Sequence, residues 1–68
     1  MDSKILPLAA MEKLLKKSGA SRVSNGSKLA LKEVLEDIAD EIGIRAVKLA
    51  QHSGRKTIKG SDIKLASK

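Results

Sequence analysis

One long helical pattern, which ends at Gly54, constrains the fold of this chain more than any other feature of its sequence. Apolar and small residues recur in it every three or four positions, as on one face of an α-helix: Leu31, Val34, Leu35, Ile38, Ile42, Ala46, Leu49, Ala50 and Ser53. Either Ser24 or Ser27 can cap its beginning. About 28 helical residues rise roughly 42 Å, too long for the remainder of a 68-residue chain to cover. We therefore expect two chains to share one core.

The composition leaves few other ways to stabilise so small a domain. The sequence has no Cys, Phe, Tyr or Trp and a single His, which excludes disulfides and aromatic packing and makes metal ligands scarce. Domains near this size bury only about 60% of their unfolded surface. Oligomerisation is the remaining source of stability. We expect an obligate dimer of a single domain, residues 1–68, with no cofactor and no metal.

The sequence also indicates where the protein works. The absence of Cys fits a reducing cytosol. No apolar run approaches the roughly 18 residues of a membrane span, and residues 1–7 lack the apolar stretch of a signal peptide. We therefore expect a soluble protein of the cytoplasm that contacts no membrane.

Two shorter helices flank the long one. The first follows Pro7, whose missing N–H costs little in a first helical turn, and Gly19 ends it; its apolar stripe is Leu8, Met11, Leu14 and Leu15. The last has Asp62 in its first turn, where a carboxylate favours the helix dipole, and its apolar residues are Ile58, Ile63, Leu65 and Ala66. The predicted fold is all-α: short helix, loop, long helix, loop, short helix.

The charge of the chain suggests its partner. The net charge of +6 and the pI of about 9.9 favour a polyanion, nucleic acid before an anionic membrane. The basic residues lie towards the chain ends and in two loops beside the long helix: residues 19–24 (the first loop) contain one arginine, and residues 54–59 (the second loop) contain three cations. Such loops, with their hydroxyl groups, indicate phosphate binding, although charges that only interact with solvent remain the alternative.

Gly26 and Gly43 weaken the long helix, because each costs about 1 kcal/mol relative to Ala. Gly43 is either tolerated or marks a close crossing of two helices at the middle of the pattern.

The layout and both loops resemble the histone fold, and the chain is similar to archaeal histones over residues 6–66. The most specific match covers residues 48–63, followed by residues 19–24. The resemblance implies an intertwined head-to-tail dimer, or a heterodimer with another histone. It implies that such dimers bind, wrap and compact double-stranded DNA in the chromosome largely without sequence specificity, as eukaryotic relatives do with inserted arginines. Tetramers or larger assemblies would form on the DNA.

The resemblance also assigns roles to single residues. Arg22 matches an arginine of the minor groove, and Thr57 is expected beside Arg22 of the other protomer. The expected DNA contacts are Lys13, Lys16, Arg22, Ser24, Lys56, Thr57 and Lys59. Arg55 and Asp62 match an ion pair that braces the second loop, and Gly19 matches a stacking position.

A contact between dimers is implied as well, formed by Leu49, His52, Asp62 and Leu65, with His52 of one dimer paired to Asp62 of the next. A lone His that faces solvent is the alternative. Gln51 and the chain end at Lys68 depart from the family pattern and predict a weak contact there, while Gly26 and Gly60 predict frayed helix starts.

Two other functions are compatible with parts of the sequence. One is a histone-fold subunit of a transcription or repair complex, acting as a heterodimer, which the loop cations disfavour. The other is a sequence-specific helix-turn-helix regulator, which needs base-reading side chains that the last helix lacks. We expect no enzyme, because the sequence contains no catalytic constellation.

Overall fold

Three α-helices make up the regular structure of the residues that the structure describes. The computed structural model describes residues 6–68, and in that range α1 spans Leu8–Lys17, α2 Asn25–His52 and α3 Gly60–Ala66, with no strand. The predicted all-α class and the predicted order of elements are confirmed. Residues 1–5, part of the segment in which the sequence predicts no signal peptide, lie outside the described residues. No helix among the described residues is long and apolar enough to cross a membrane.

The chain divides into two compact units, one ending at Asp37 and the other spanning Ile38–Lys68. Helix α2 contributes residues to both units. The first unit contains α1, the first loop and the beginning of α2. The second contains the end of α2, the second loop and α3.

Helices α1 and α2 end in the same way, at a glycine with a positive φ. After α1, Gly19 (φ +117°) donates its N–H to the Lys16 carbonyl, and Ala20 donates to the Leu15 carbonyl. After α2, Gly54 (φ +73°) donates to Gln51, and Arg55 donates to Ala50. Both ends are Schellman motifs, in which glycine adopts a backbone conformation that other residues reach only with strain. Both glycines were predicted to end these helices.

Ser24 is the residue that caps α2. Its Oγ accepts the Ser27 backbone N–H at 3.1 Å, and Ser27 Oγ donates to the Ser24 carbonyl at 2.9 Å. These bonds decide between the two serines that the sequence offered, because Ser27 lies within the first helical turn. Pro7 lies one residue before α1, as its N-cap, with an extended ψ of 143°.

Few apolar residues are buried in either unit, and several large apolar side chains stay exposed. Met11 is buried in the first unit, and Ala46, Ala50 and Ala66 are buried in the second. On the predicted stripe of α2, by contrast, Val34 is 52% exposed and Ile38 49% exposed. Such an exposed apolar stripe is expected of a surface that a partner covers.

The structure gives no reason for glycine at position 43. A Cβ added there meets no atom within 4 Å in the single chain. The close helix crossing suggested by the sequence stays a prediction, because it concerns a second chain.

Candidate nucleic-acid interface

The second loop is held in shape by one arginine. Arg55 Nη1 donates to Asp62 Oδ2 and Nη2 donates to Asp62 Oδ1, both at 2.9 Å, and Nη1 also donates to the Thr57 carbonyl at 2.9 Å. Two parallel bonds between a guanidinium and a carboxylate give geometric specificity as well as strength. The Arg55 side chain therefore ties the start of the loop to its middle and to the first turn of α3.

Asp62 is the anchor of this arrangement. It is only 5% exposed, and its Oδ2 also accepts the Lys59 backbone N–H at 2.8 Å, which caps the beginning of α3. The hydrogen bonds from Arg55, and then the one from Lys59, lower the pKa of Asp62 from 3.8 to about 2. The hydrogen bond to Asp62 in turn raises the pKa of Arg55. The structure thus brings together the two residues that the sequence paired.

The bracing leaves the other cations of the second loop available. Lys56 and Lys59 are exposed, and neither side chain forms an ion pair with another residue between Leu6 and Lys68. The Thr57 side chain is also exposed, while its carbonyl accepts from Arg55. The loop therefore presents two lysines and a hydroxyl to solvent on a backbone fixed by Arg55.

The arginine of the first loop, unlike Arg55, is not held by other side chains of the described residues. Arg22 is exposed, and its side chain makes no hydrogen bond or ion pair with any described residue. Ser24, two positions later, caps α2 with its hydroxyl group. A role for the Ser24 hydroxyl at a DNA phosphate stays a prediction.

The cations of α1 differ from one another. Lys13 is exposed and has no ion-pair partner within residues 6–68. Lys16 Nζ lies 3.4 Å from Glu12 Oε2, and Lys28 Nζ on α2 lies 3.6 Å from Glu12 Oε1. A hydrogen bond from Lys16 and the charge of Lys28 lower the pKa of Glu12. One carboxylate therefore contacts two cations, one of which was predicted to contact DNA.

A comparison with known protein families identifies the family of this chain. The family model for the histone-like transcription factor (CBF/NF-Y) and archaeal histone matches residues 4–66. The chain belongs to this family. The histone fold and the resemblance to archaeal histones that the sequence predicted are thereby confirmed.

Two relatives of this histone-family chain are similar over nearly their whole length. It is 48% identical over 63 residues to one of the subunits of the archaeal histone HAN1 of Thermococcus zilligii, covering 93% of this chain and 94% of that protein. It is also 48% identical over 61 residues to probable archaeal histone 3 of Methanocaldococcus jannaschii, covering 90% of this chain and 91% of that one.

The residues predicted to join one histone dimer to the next lie in the second unit. Leu49, His52 and Leu65 line one open groove, whereas Asp62 is not among its lining residues. Both Asp62 oxygens accept from Arg55 of the same chain. Gly19, the predicted stacking position, is exposed at the end of α1. All of these roles concern a second chain, so they stay predictions.

Sequence reasoning missed two ion-pair clusters in the first unit. Glu12 and Lys16 are four positions apart, and this spacing alone predicts a pair on a helix. Lys28 could not have been found in this way, because it lies on another helix. In the second cluster, Lys32 Nζ lies 3.3 Å from Glu36 Oε2 and also donates to the Leu6 carbonyl, while the Leu6 N–H donates to Glu36 Oε2 at 3.0 Å. This cluster fixes the chain just before α1.

Among the described residues, no group of three or more His, Cys, Asp or Glu side chains is placed to hold a metal ion.

Proposed function

We propose that this chain is an archaeal histone that binds, wraps and compacts double-stranded DNA largely without sequence specificity. The observation that carries the proposal is the contrast between a braced second loop and the exposed cations around it. Lys56 and Lys59 are exposed beside the fixed Arg55–Asp62 pair, and Arg22 is exposed with no partner among the described residues. Cations of this kind can neutralise phosphates, which supply most of the free energy of non-specific DNA binding.

Arg22 is proposed to enter the minor groove. A planar guanidinium suits a narrow, electronegative groove better than a compact ammonium does. Thr57 of the other protomer would lie beside it and orient it. The remaining proposed contacts are with the phosphates, from Lys13, Lys16, Ser24, Lys56 and Lys59.

The working form is proposed to be an intertwined head-to-tail dimer in which each chain supplies one histone-fold domain. This proposal is supported by Val34 and Ile38, which remain about half exposed on the apolar stripe of α2. A second copy of the chain would cover that stripe. We propose that such dimers are associated with the chromosome in the cytoplasm and that heterodimers with other histones also form.

Dimers are further proposed to assemble on DNA through the groove lined by Leu49, His52 and Leu65. Asp62 would accept a bond from His52 of a neighbouring dimer in addition to those from Arg55 and Lys59. Oδ2 already accepts from both Arg55 and the Lys59 N–H, so the second lone pair for such a bond belongs to Oδ1, which accepts only from Arg55 Nη2. The contact is therefore an addition to the braced loop and does not replace its ion pair.

The alternative is a histone-fold subunit of a transcription or repair complex that acts as a heterodimer with another protein. The matching family includes histone-like transcription factors as well as archaeal histones. The two functions differ in what the purified chain does alone, because a DNA-wrapping histone needs no other protein in order to bind DNA.

A salt titration of DNA affinity tests the proposal. If about six phosphates are neutralised per dimer, log K falls with log salt at a slope of about −5, with similar values for random duplexes of different sequence. A shallow slope, or tight binding confined to one short site, contradicts the proposal. Failure of the purified chain to bind any duplex favours the heterodimeric subunit.

A further inference from the structure

Glu12 is placed between two cations in the first unit of the chain. Its Oε2 lies 3.4 Å from Lys16 Nζ, one turn later on α1, and its Oε1 lies 3.6 Å from Lys28 Nζ, near the beginning of α2. The Lys16 side chain is about half exposed, whereas that of Lys28 is only 19% exposed. Two cations thus converge on one carboxylate at the surface of the unit.

The distances indicate loose pairs. Charge-assisted hydrogen bonds between an ammonium and a carboxylate are usually about 2.7–2.9 Å long, and both contacts here are longer. Partly exposed pairs of this kind contribute little free energy, about 0–1 kcal/mol each. A phosphate of DNA, one of a dense row of negative charges, can therefore displace the carboxylate from either lysine.

We propose that Glu12 limits the DNA affinity of this chain by holding Lys16 and Lys28 in competition with phosphate, and that Lys28 is a further phosphate-contacting residue. This inference rests on the proposed DNA binding. Until it is displaced, the Glu12 carboxylate neutralises part of the charge of both lysines. After its displacement it stays near the DNA and repels the phosphates. Both effects weaken binding without abolishing it.

The test compares two substitutions that change the net charge equally. Glu12→Gln removes the carboxylate between the lysines. Glu33→Gln is the matched control, because Glu33 is exposed on α2 in the same unit and makes no hydrogen bond or ion pair with any residue from Leu6 to Lys68. Affinity for one random-sequence duplex is measured against salt for the parent and both variants. The two substitutions are also made in a chain that carries Lys16→Gln and Lys28→Gln.

Glu12→Gln is expected to tighten binding by about three- to tenfold at low salt and to steepen the salt dependence, both more than Glu33→Gln does. In the chain that lacks both lysines, this excess is expected to disappear. A larger effect of Glu12→Gln than of Glu33→Gln, which is lost when both lysines are removed, would show that the gain in affinity comes from the release of Lys16 and Lys28. A gain caused only by the change in net charge would be equal for the two substitutions.

Three results would overturn the inference. Equal effects of the two substitutions would assign the gain to net charge alone. A gain that persists without Lys16 and Lys28 would show that Glu12 does not act through them. Weaker binding by Glu12→Gln would mean that the carboxylate orients the lysines for DNA. In each of these cases the parent still binds DNA, so the proposed function is not affected. If neither the parent nor any variant binds a duplex, the proposed function itself is wrong, and the inference about Glu12 is wrong with it.

Discussion

The two loops beside α2 begin with the same backbone motif, and each contains one arginine, but the two arginines lie in opposite environments. Gly19 and Gly54 both adopt a positive φ, and the N–H groups that follow both return to the last carbonyls of a helix. In the second loop, the guanidinium of Arg55 is engaged with Asp62 and Thr57. In the first loop, Arg22 has no partner among the described residues. The same residue type is therefore structural in one loop and available for a ligand in the other.

The two arginines differ because different residues occupy the first turn of the helix that follows each loop. Asp62 occupies the third position of α3, where its carboxylate both caps that helix and meets Arg55. The residue at the corresponding position of α2 is Ser27, which has no charge to pair with Arg22. One carboxylate at a helix start thus decides whether the arginine before it braces the loop or stays exposed.

The largest expected effect is on Arg55. The Asp62 carboxylate is almost completely buried, and Arg55→Ala removes the cation that pairs with it. Leaving a buried charge unpaired is among the most destabilising effects of a single substitution. We expect Arg55→Ala to lower the thermal unfolding midpoint more than alanine does at Arg22, Gly19 or Gly54. Lys56→Ala, the matched change at the neighbouring exposed cation, is expected to leave the midpoint nearly unchanged. Equal midpoints for the two variants would remove the distinction between the loops.

The same pair predicts how stability depends on pH. The pKa of Asp62 is lowered from 3.8 to about 2 in the folded chain. A lowered carboxyl pKa contributes stability that is complete above the unfolded value and is lost as pH falls through the folded value. The midpoint of the parent should therefore fall between about pH 4 and pH 2 by more than that of Asp62→Asn. Parallel pH profiles of the two proteins would show that the pair does not stabilise the fold.

A smaller effect is expected at the glycines that the loops share. Ala at Gly54 must adopt the left-handed conformation, which costs about 1–2 kcal/mol, and Ala at Gly19, whose φ is +117°, should cost at least as much. Gly60→Ala is the control, because its φ is not positive and an added Cβ meets no atom within 4 Å. Chemical denaturation measures all three free energies of unfolding. A cost at Gly60 equal to that at Gly54 would assign the loss to something other than backbone strain.

The fold was largely predictable because its signals are local. Apolar residues at helical spacing, glycines at two helix ends and an acidic residue at the start of α3 each act within a few positions of the chain. The pairing of Arg55 with Asp62 was not predictable from spacing alone. It came from the resemblance to the histone family, whose loop carries both residues.

The features that were missed depend on packing between elements. Glu12 meets Lys28, and Glu36 meets the backbone of Leu6, only when residues distant in sequence come together. The choice of Ser24 over Ser27 as the cap depended on which backbone N–H lies within reach of which hydroxyl. The contacts proposed between chains depend on a partner, which no single chain contains.

Arg22→Ala tests most directly whether the exposed arginine of the first loop and the bracing arginine of the second have different roles. Its free energy of unfolding and its DNA affinity are measured in the same buffer. An exposed arginine without a partner among the described residues should change the free energy of unfolding by no more than about 0.5 kcal/mol. Loss of its contact in both protomers should weaken binding to every duplex tested and make the salt slope shallower by about two. We expect that combination, with Arg55→Ala losing stability instead. Unchanged DNA affinity, or a loss of stability as large as that of Arg55→Ala, would show that the two arginines do not divide the roles in this way.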